Sequence, residues 1–175
     1  MNRSHYFDSA RPDDIVRDYP IGPAFAQHVK RLGREGLRQL AEARFLALVD
    51  KAWSNPFYAR RWRAAGVEPG AIQSLDDLAS LPSFSKADLM RSVEEFPPFG
   101  DYVGPSDWRC GDRVVMHTTS GTTGAPQPLF FGPRDREIQN ALLARAYLLQ
   151  GLKPEDVVHS VYGFGMVNEI GRAHV

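Results

Sequence analysis

The sequence predicts an α/β fold with a helical start, and three observations carry that prediction. A long stretch from Arg34 to Ser54 repeats apolar residues at helical spacing. Two short β-rich runs, Val114-Val115-Met116 and Leu129-Phe130-Phe131, flank a loop made of hydroxyl residues and glycines. A further helical pattern from Pro133 to about Gln150 leads into another β-rich run, Asp156 to Val161. Strand, loop, strand, helix, strand in that order fits an α/β layer, not a bundle.

Bulk composition narrows the class. With 175 residues, 43% of them hydrophobic, the chain can bury a core of one-domain size. Lys+Arg and Asp+Glu both number 21, so charge gives no pull towards nucleic acid or an anionic membrane. The single cysteine, Cys110, excludes an internal disulfide and fits a reducing compartment. It has no partners at zinc-ligand spacing and reads as a small apolar filler. No signal-like apolar run follows Met1, and no window nears ~18 successive apolar residues. These features predict a cytoplasmic protein without nucleic-acid or membrane partners.

Three regions are expected. Residues 1–33 read as an extended amino-terminal arm, because Pro12, Pro20 and Pro23 alternate with Asp8, Asp13, Asp14 and Asp18. Residues 34–105 read as a helical region. In it Leu37, Leu40, Ala41, Phe45, Leu48, Val49 and Ala52 form one apolar stripe on the helix from Arg34. Asn55-Pro56 stops that helix, and Pro56 suits N1 of a second one, Phe57 to Ala65, ended by Gly66. Arg60, Arg61 and Arg63 make this second helix basic, a pattern that more often marks a solvated face than a nucleic-acid patch. Ser74 reads as the N-cap of Leu75 to Leu81, and Ser85 as the cap of another short helix with Asp88 three residues on.

Residues 106–175 read as the start of an α/β subdomain. Its centre is Thr119-Ser120-Gly121-Thr122-Thr123-Gly124-Ala125-Pro126. Gly121 and Gly124 leave room for a close anion, and loop N–H groups can converge on it. Thr119, Ser120, Thr122 and Thr123 add hydroxyl donors. This is not a Walker A loop: no lysine follows Gly124, and Pro126 and Pro128 forbid an immediate helix. Composition alone leaves a polar hairpin loop equally open. His117 adjoins the loop and reads as a structural strand-end residue. The five histidines show no metal-ligand spacing, so no metal site is expected.

The order of residues from Thr119 to Pro126 resembles the phosphate-binding motif of adenylate-forming enzymes, the acyl-CoA synthetase superfamily. The upstream segments resemble its phenylacetate-CoA ligase branch. They are Asn55-Pro56-Phe57-Tyr58, Ala65-Gly66-Val67, Ser74-Leu75-Asp76-Asp77-Leu78, Leu81-Pro82 and Lys86-Ala87-Asp88-Leu89. The resemblance runs from about residue 34 to 175. It implies the amino-terminal part of the large domain of such an enzyme, incomplete, with Thr119, Ser120, Gly121, Thr122, Thr123 and Gly124 binding ATP phosphates.

The resemblance also implies an acyl pocket lined at Tyr162, Phe164 and Val167, in a Tyr-Gly-x-Gly segment. A strand-to-helix turn with core aromatics is the alternative for those side chains. Two departures stand out. The family usually has lysine where Ala125 stands, and an aromatic residue where Val167 stands. The family's adenine motif, ribose aspartate, magnesium ligand and catalytic lysine have no match here. Lys30, Lys51, Lys86 and Lys153 occupy none of that lysine's contexts.

The chain is therefore expected to be the amino-terminal fragment of an ATP-dependent, AMP-forming acid–CoA ligase, inactive alone. The parent's partners would be a carboxylic acid, aryl such as phenylacetate, together with ATP, magnesium and coenzyme A. A homodimer of the full-length enzyme stays open. Two other readings stand beside it: an adenylyltransferase acting on a cofactor hydroxyl, and a non-catalytic nucleotide-binding module.

Overall fold

The computed structural model describes residues 6–104, 114–118 and 126–159. The elements in order are α1 (Tyr6–Ala10), α2 (Pro12–Asp18), α3 (Gly22–Trp53) and α4 (Pro56–Ala64). A 3-10 helix (Leu75–Ser80), α5 (Lys86–Glu95) and a second 3-10 helix (Asp101–Val103) follow. Strands β1 (Val115–Thr118) and β2 (Pro128–Phe131) and helix α6 (Pro133–Leu149) complete the described order. They fall into two compact units, one of Met1–Arg31 with Asp107–Val175 and one of Leu32–Ser106.

The extended arm expected over residues 1–33 is helical from Tyr6 onward. Pro12 and Pro23 do not break helices; each stands in a first turn, while Pro20 lies between α2 and α3. Pro12 sits in the first turn of α2, where a missing N–H costs nothing, and Asp13 and Asp14 suit the positive end of the dipole. Arg17 bonds back to Asp14 at 2.9 Å within the same helix. Pro23 likewise stands second in α3. Ala10 and Ile15 are buried, so the arm has apolar contacts of its own.

Gly33 (φ 61°, ψ −171°) interrupts helical backbone inside α3, a conformation glycine adopts without a Cβ penalty. Beyond it the helix runs through the expected span, but its buried face is rotated. Val49 is buried, with Phe45, Leu46, Ala52 and Trp53 packed around it. Leu37 and Leu48, both in the expected stripe, are 37% and 62% exposed. The aromatic mass of Trp53 and its edge-on contact with Trp62 (5.1 Å) draw the face towards Leu46. Trp62, Val67 and Ile72 complete this core.

Local caps set the rest of the second unit. Asn55 Oδ1 accepts from Phe57 N at 3.0 Å, and its Nδ2 donates to Tyr102 O at 2.8 Å. Asp77 Oδ2 accepts from Gln73 N and Ser74 N, both at 2.9 Å, at the start of the first 3-10 helix. Ser85 and Asp88 form the expected box: Asp88 N donates to Ser85 Oγ at 3.3 Å, while Asp88 Oδ2 accepts from Ser85 N at 2.8 Å.

In the first unit β1 and β2 pair antiparallel, with Val115 opposite Phe131 and Thr118 opposite Pro128. Helix α6 follows, and Gly151 at φ 93° ends it. On this helix Leu142 and Leu149 are 45% and 74% exposed, and one expectation fails beyond it. The described part of the run from Asp156 to Val161 is not a strand. Asp156 is used in a turn instead, its carboxylate accepting from Lys153 N at 2.8 Å and its N–H donating to Lys153 O at 3.1 Å. Val157 is 98% exposed.

Candidate functional site

The candidate site is the end of the β1–β2 hairpin. Thr118 and Pro128 are paired positions, so the intervening chain departs from and returns to one point of the sheet. Pro128 has no N–H to donate, which suits a residue at the start of a strand. Thr119 to Gly124, together with Ala125, lie outside the described residues. So do Tyr162, Phe164 and Val167, and also Cys110. The described residues therefore include the two strands that flank the proposed phosphate loop, but neither the loop nor the acyl-pocket candidates.

His117 is buried at 6% exposure. Its ring meets Phe131 edge-on at 5.6 Å, so it packs within the hairpin against β2. Immediately after β2, Gly132 N donates to Asp135 Oδ2 at 3.2 Å. That bond occupies one of the free N–H groups at the start of α6 and closes the turn from strand into helix.

The other sequence candidates resolve into structure. The arginines of α4 are engaged within their own unit. Arg60 Nη2 bonds Asp101 Oδ2 at 2.9 Å, Arg61 Nη1 lies 3.3 Å from Asp88 Oδ1, and Arg63 lies over Trp53 at 5.7 Å. The row keeps the solvent exposure expected of it at Arg60 and Arg63 while its charges meet partners in the same unit. Lys30, Lys51, Lys86 and Lys153 are all exposed. Among the described residues no group of three or more His, Cys, Asp or Glu side chains could hold a metal ion. Nor is any described helix long and apolar enough to cross a membrane.

Two long-range bonds were not read from the sequence. Tyr6 OH donates to Glu137 Oε1 at 2.6 Å, and Arg145 Nε donates to Pro20 O at 2.7 Å. Both tie the arm to the helix that follows β2. The pairs are separated by 131 and 125 positions, and no local pattern reveals contacts that distant.

No protein-family model matches the chain. Known proteins do. Phenylacetate-coenzyme A ligase of Thermus thermophilus is 32% identical over 143 residues, 81% of this chain and 30% of that protein. Its counterpart in Escherichia coli K12 is 31% identical over 131 residues, 74% of this chain and 28% of that protein. The chain thus spans about three tenths of the length of these relatives.

Among solved structures, a 2-hydroxyisobutyryl-CoA ligase in complex with 2-HIB-AMP and CoA, in the thioesterification state, superposes with TM-score 0.61 and 34% identity. That match covers 71% of this chain and 26% of the other. The open conformation of the same ligase gives 0.56 and 33%, over 65% and 24%. A helical start, a two-strand sheet and a helix behind it are thus matched in both sequence and fold, and the chain belongs to the phenylacetate-CoA ligase-like branch of the adenylate-forming enzymes, as the amino-terminal part of that fold.

Proposed function

We propose that the protein carrying these residues is an ATP-dependent, AMP-forming acid–CoA ligase. The observation that carries the reading is the segment Thr-Ser-Gly-Thr-Thr-Gly-Ala-Pro between two paired antiparallel strands. Thr119, Ser120, Thr122 and Thr123 offer hydroxyls, and Gly121 and Gly124 let the backbone approach an anion. Donors of these types suit the charge that builds on the β,γ-phosphates as the α-phosphate is attacked. A carboxylate oxygen attacks the α-phosphorus, the bond to the bridging oxygen breaks, and pyrophosphate leaves. The acyl-adenylate then gives its acyl group to the CoA thiol and releases AMP.

A relative bound to 2-HIB-AMP and CoA in the thioesterification state supports this two-step order. The acid is an aryl acid such as phenylacetate, in keeping with the phenylacetate ligases among the relatives. Tyr162, Phe164 and Val167 are the residues we assign to its pocket. Apolar and aromatic walls suit a ring, and Val167, smaller than the family's usual aromatic, leaves space for a different ring substituent. ATP and CoA are the co-substrates.

Acyl-CoA formation by the intact polypeptide across a panel of aryl and small branched acids tests the reading. Phenylacetyl-CoA or a substituted analogue is the expected product. Branched aliphatic thioesters alone would overturn the aryl assignment. An adenylylated hydroxyl compound with no thioester would overturn the ligase reading.

A further inference from the structure

We propose that the amino-terminal arm, comprising α1, α2 and the first turns of α3, forms a clasp that positions the loop-bearing hairpin, acting through α6. The proposal rests on the phosphate-loop reading above. The resemblance in sequence begins near residue 34, so the clasp is a feature of the arm that precedes it.

The arm up to Arg31 belongs to the same compact unit as β1, β2 and α6. It holds α6 at both ends. In the first two turns, Tyr6 OH donates to Glu137 Oε1 at 2.6 Å, and Arg134 Nη2 lies 3.9 Å from Asp18 Oδ2. The Arg136 guanidinium stands 5.9 Å from the Tyr6 ring centre. Near the carboxyl end, Arg145 Nε donates to Pro20 O at 2.7 Å, and its guanidinium stacks on Phe25 at 4.5 Å. Gly22 adjoins the same end, where a Cβ would stand in ordinary contact, 3.6 Å from Leu148 Cδ1. Two anchors separated along one helix suppress both its sliding and its rotation, which a single anchor does not.

Helix α6 is coupled to the hairpin almost without slack. Only Gly132 separates Phe131, the last residue of β2, from Pro133, the first of α6. The bond from Gly132 N to Asp135 Oδ2 stiffens that joint. A shift of α6 therefore moves β2, and with it Pro128, where the loop segment rejoins the sheet. Tyr6, Glu137 and Arg145 touch no substrate in this scheme. They are positioning residues.

The test uses the intact polypeptide and three variants. Tyr6→Phe keeps the ring near Arg136 and loses the hydroxyl bond; Glu137→Ala loses the acceptor; Glu137→Gln keeps one. The expected result is a rise of about fivefold in the KM for ATP in the first two, and a smaller rise in the third. The KM values for acid and CoA should not move. Hydrogen exchange on the same proteins should quicken in α6 and β1–β2 and stay unchanged in α4 and α5. Exchange that quickens equally in all of these elements, or in none, overturns the clasp. Local quickening with an unchanged KM for ATP overturns its positioning role. A wild-type protein that does not use ATP overturns the phosphate-loop reading and the clasp's role with it, whereas unaltered variants of an ATP-using wild type sink the clasp alone.

Discussion

Ser92 and Asp101 exchange two hydrogen bonds across the end of α5. Ser92 Oγ donates to Asp101 Oδ1 at 2.6 Å and accepts from Asp101 N at 2.9 Å. Ser92 is 2% exposed, and Arg60 Nη2 reaches the same carboxylate at 2.9 Å. A serine on the inner face of a helix thus becomes the joint that fastens the segment after α5. Ser92→Ala takes the acceptor from Asp101 N and leaves Asp101 Oδ1 with Arg60 Nη2 at 3.2 Å as its remaining donor. It should cost about 2 kcal/mol in urea unfolding. Gly100→Ala should cost at least as much, because its Cβ would stand 2.7 Å from Ser92 Oγ at a φ of +86°. Unchanged midpoints for both would refute the joint.

The rotated face of α3 gives a paired test. Leu46 packs against the core of Val49 and Trp62, whereas Leu48 is 62% exposed. Leu46→Ala should destabilise by about 2 kcal/mol, near the low end for a core leucine because Leu46 is only partly buried. Leu48→Ala should stay within about 0.5 kcal/mol of wild type. The opposite ranking in denaturant melts would restore the stripe expected from periodicity alone.

Acid sensitivity follows from two capping carboxylates. Backbone N–H bonds from Gln73 and Ser74 hold the Asp77 carboxyl below its ordinary value of 3.8. The Ser85 N–H, then the Ser85 hydroxyl, do the same for Asp88. Both folded values lie below the unfolded one, so the unfolded chain binds more protons in that interval. Their contribution is present above the unfolded value and is lost as the pH falls through the folded values. Thermal melts should show Tm dropping as the pH falls below about 4, with a shallower drop in the Asp77→Asn, Asp88→Asn double variant. Parallel Tm–pH curves for the two proteins would contradict this.

Ala125 is the most direct handle on the proposed nucleotide site. A lysine there would add a point charge to a loop whose other donors are neutral. Ala125→Lys in the intact polypeptide should lower the KM for ATP by about threefold to tenfold, with the KM for the acid unchanged. Gly121→Val should raise it by a similar factor or more, since a branched side chain blocks a close anion. Steady-state kinetics at varied ATP decide both, and a Gly121→Val enzyme with wild-type ATP kinetics would exclude the loop from phosphate binding.

How much could be read in advance depended on the range of the interaction. The helix stop at Asn55-Pro56 and the caps at Ser74 and Ser85 were legible, since each rests on residues within four positions of one another. So were β1 and β2, whose β-rich runs flank a loop with its own punctuation. The arm was misread because proline terminates a helix in its interior but suits its first turn. Which of these applied at Pro12 depended on Asp13, Asp14 and Arg17 acting together. The expected strand at Asp156 failed for a related reason: valines favour a ladder only when a partner strand is present, and Asp156 is bonded into a turn with Lys153.

By itself the sequence determined the branch of ligases and the residues proposed to hold phosphate, because an ordered run of glycines, hydroxyls and prolines is a local chemical pattern. Tertiary structure alone decided which face of α3 is buried, that the α4 arginines are spent on Asp101, Asp88 and Trp53, and that the arm grips α6. Those outcomes join residues tens to more than a hundred positions apart, whose contact depends on how the whole unit packs and not on any neighbour in the chain.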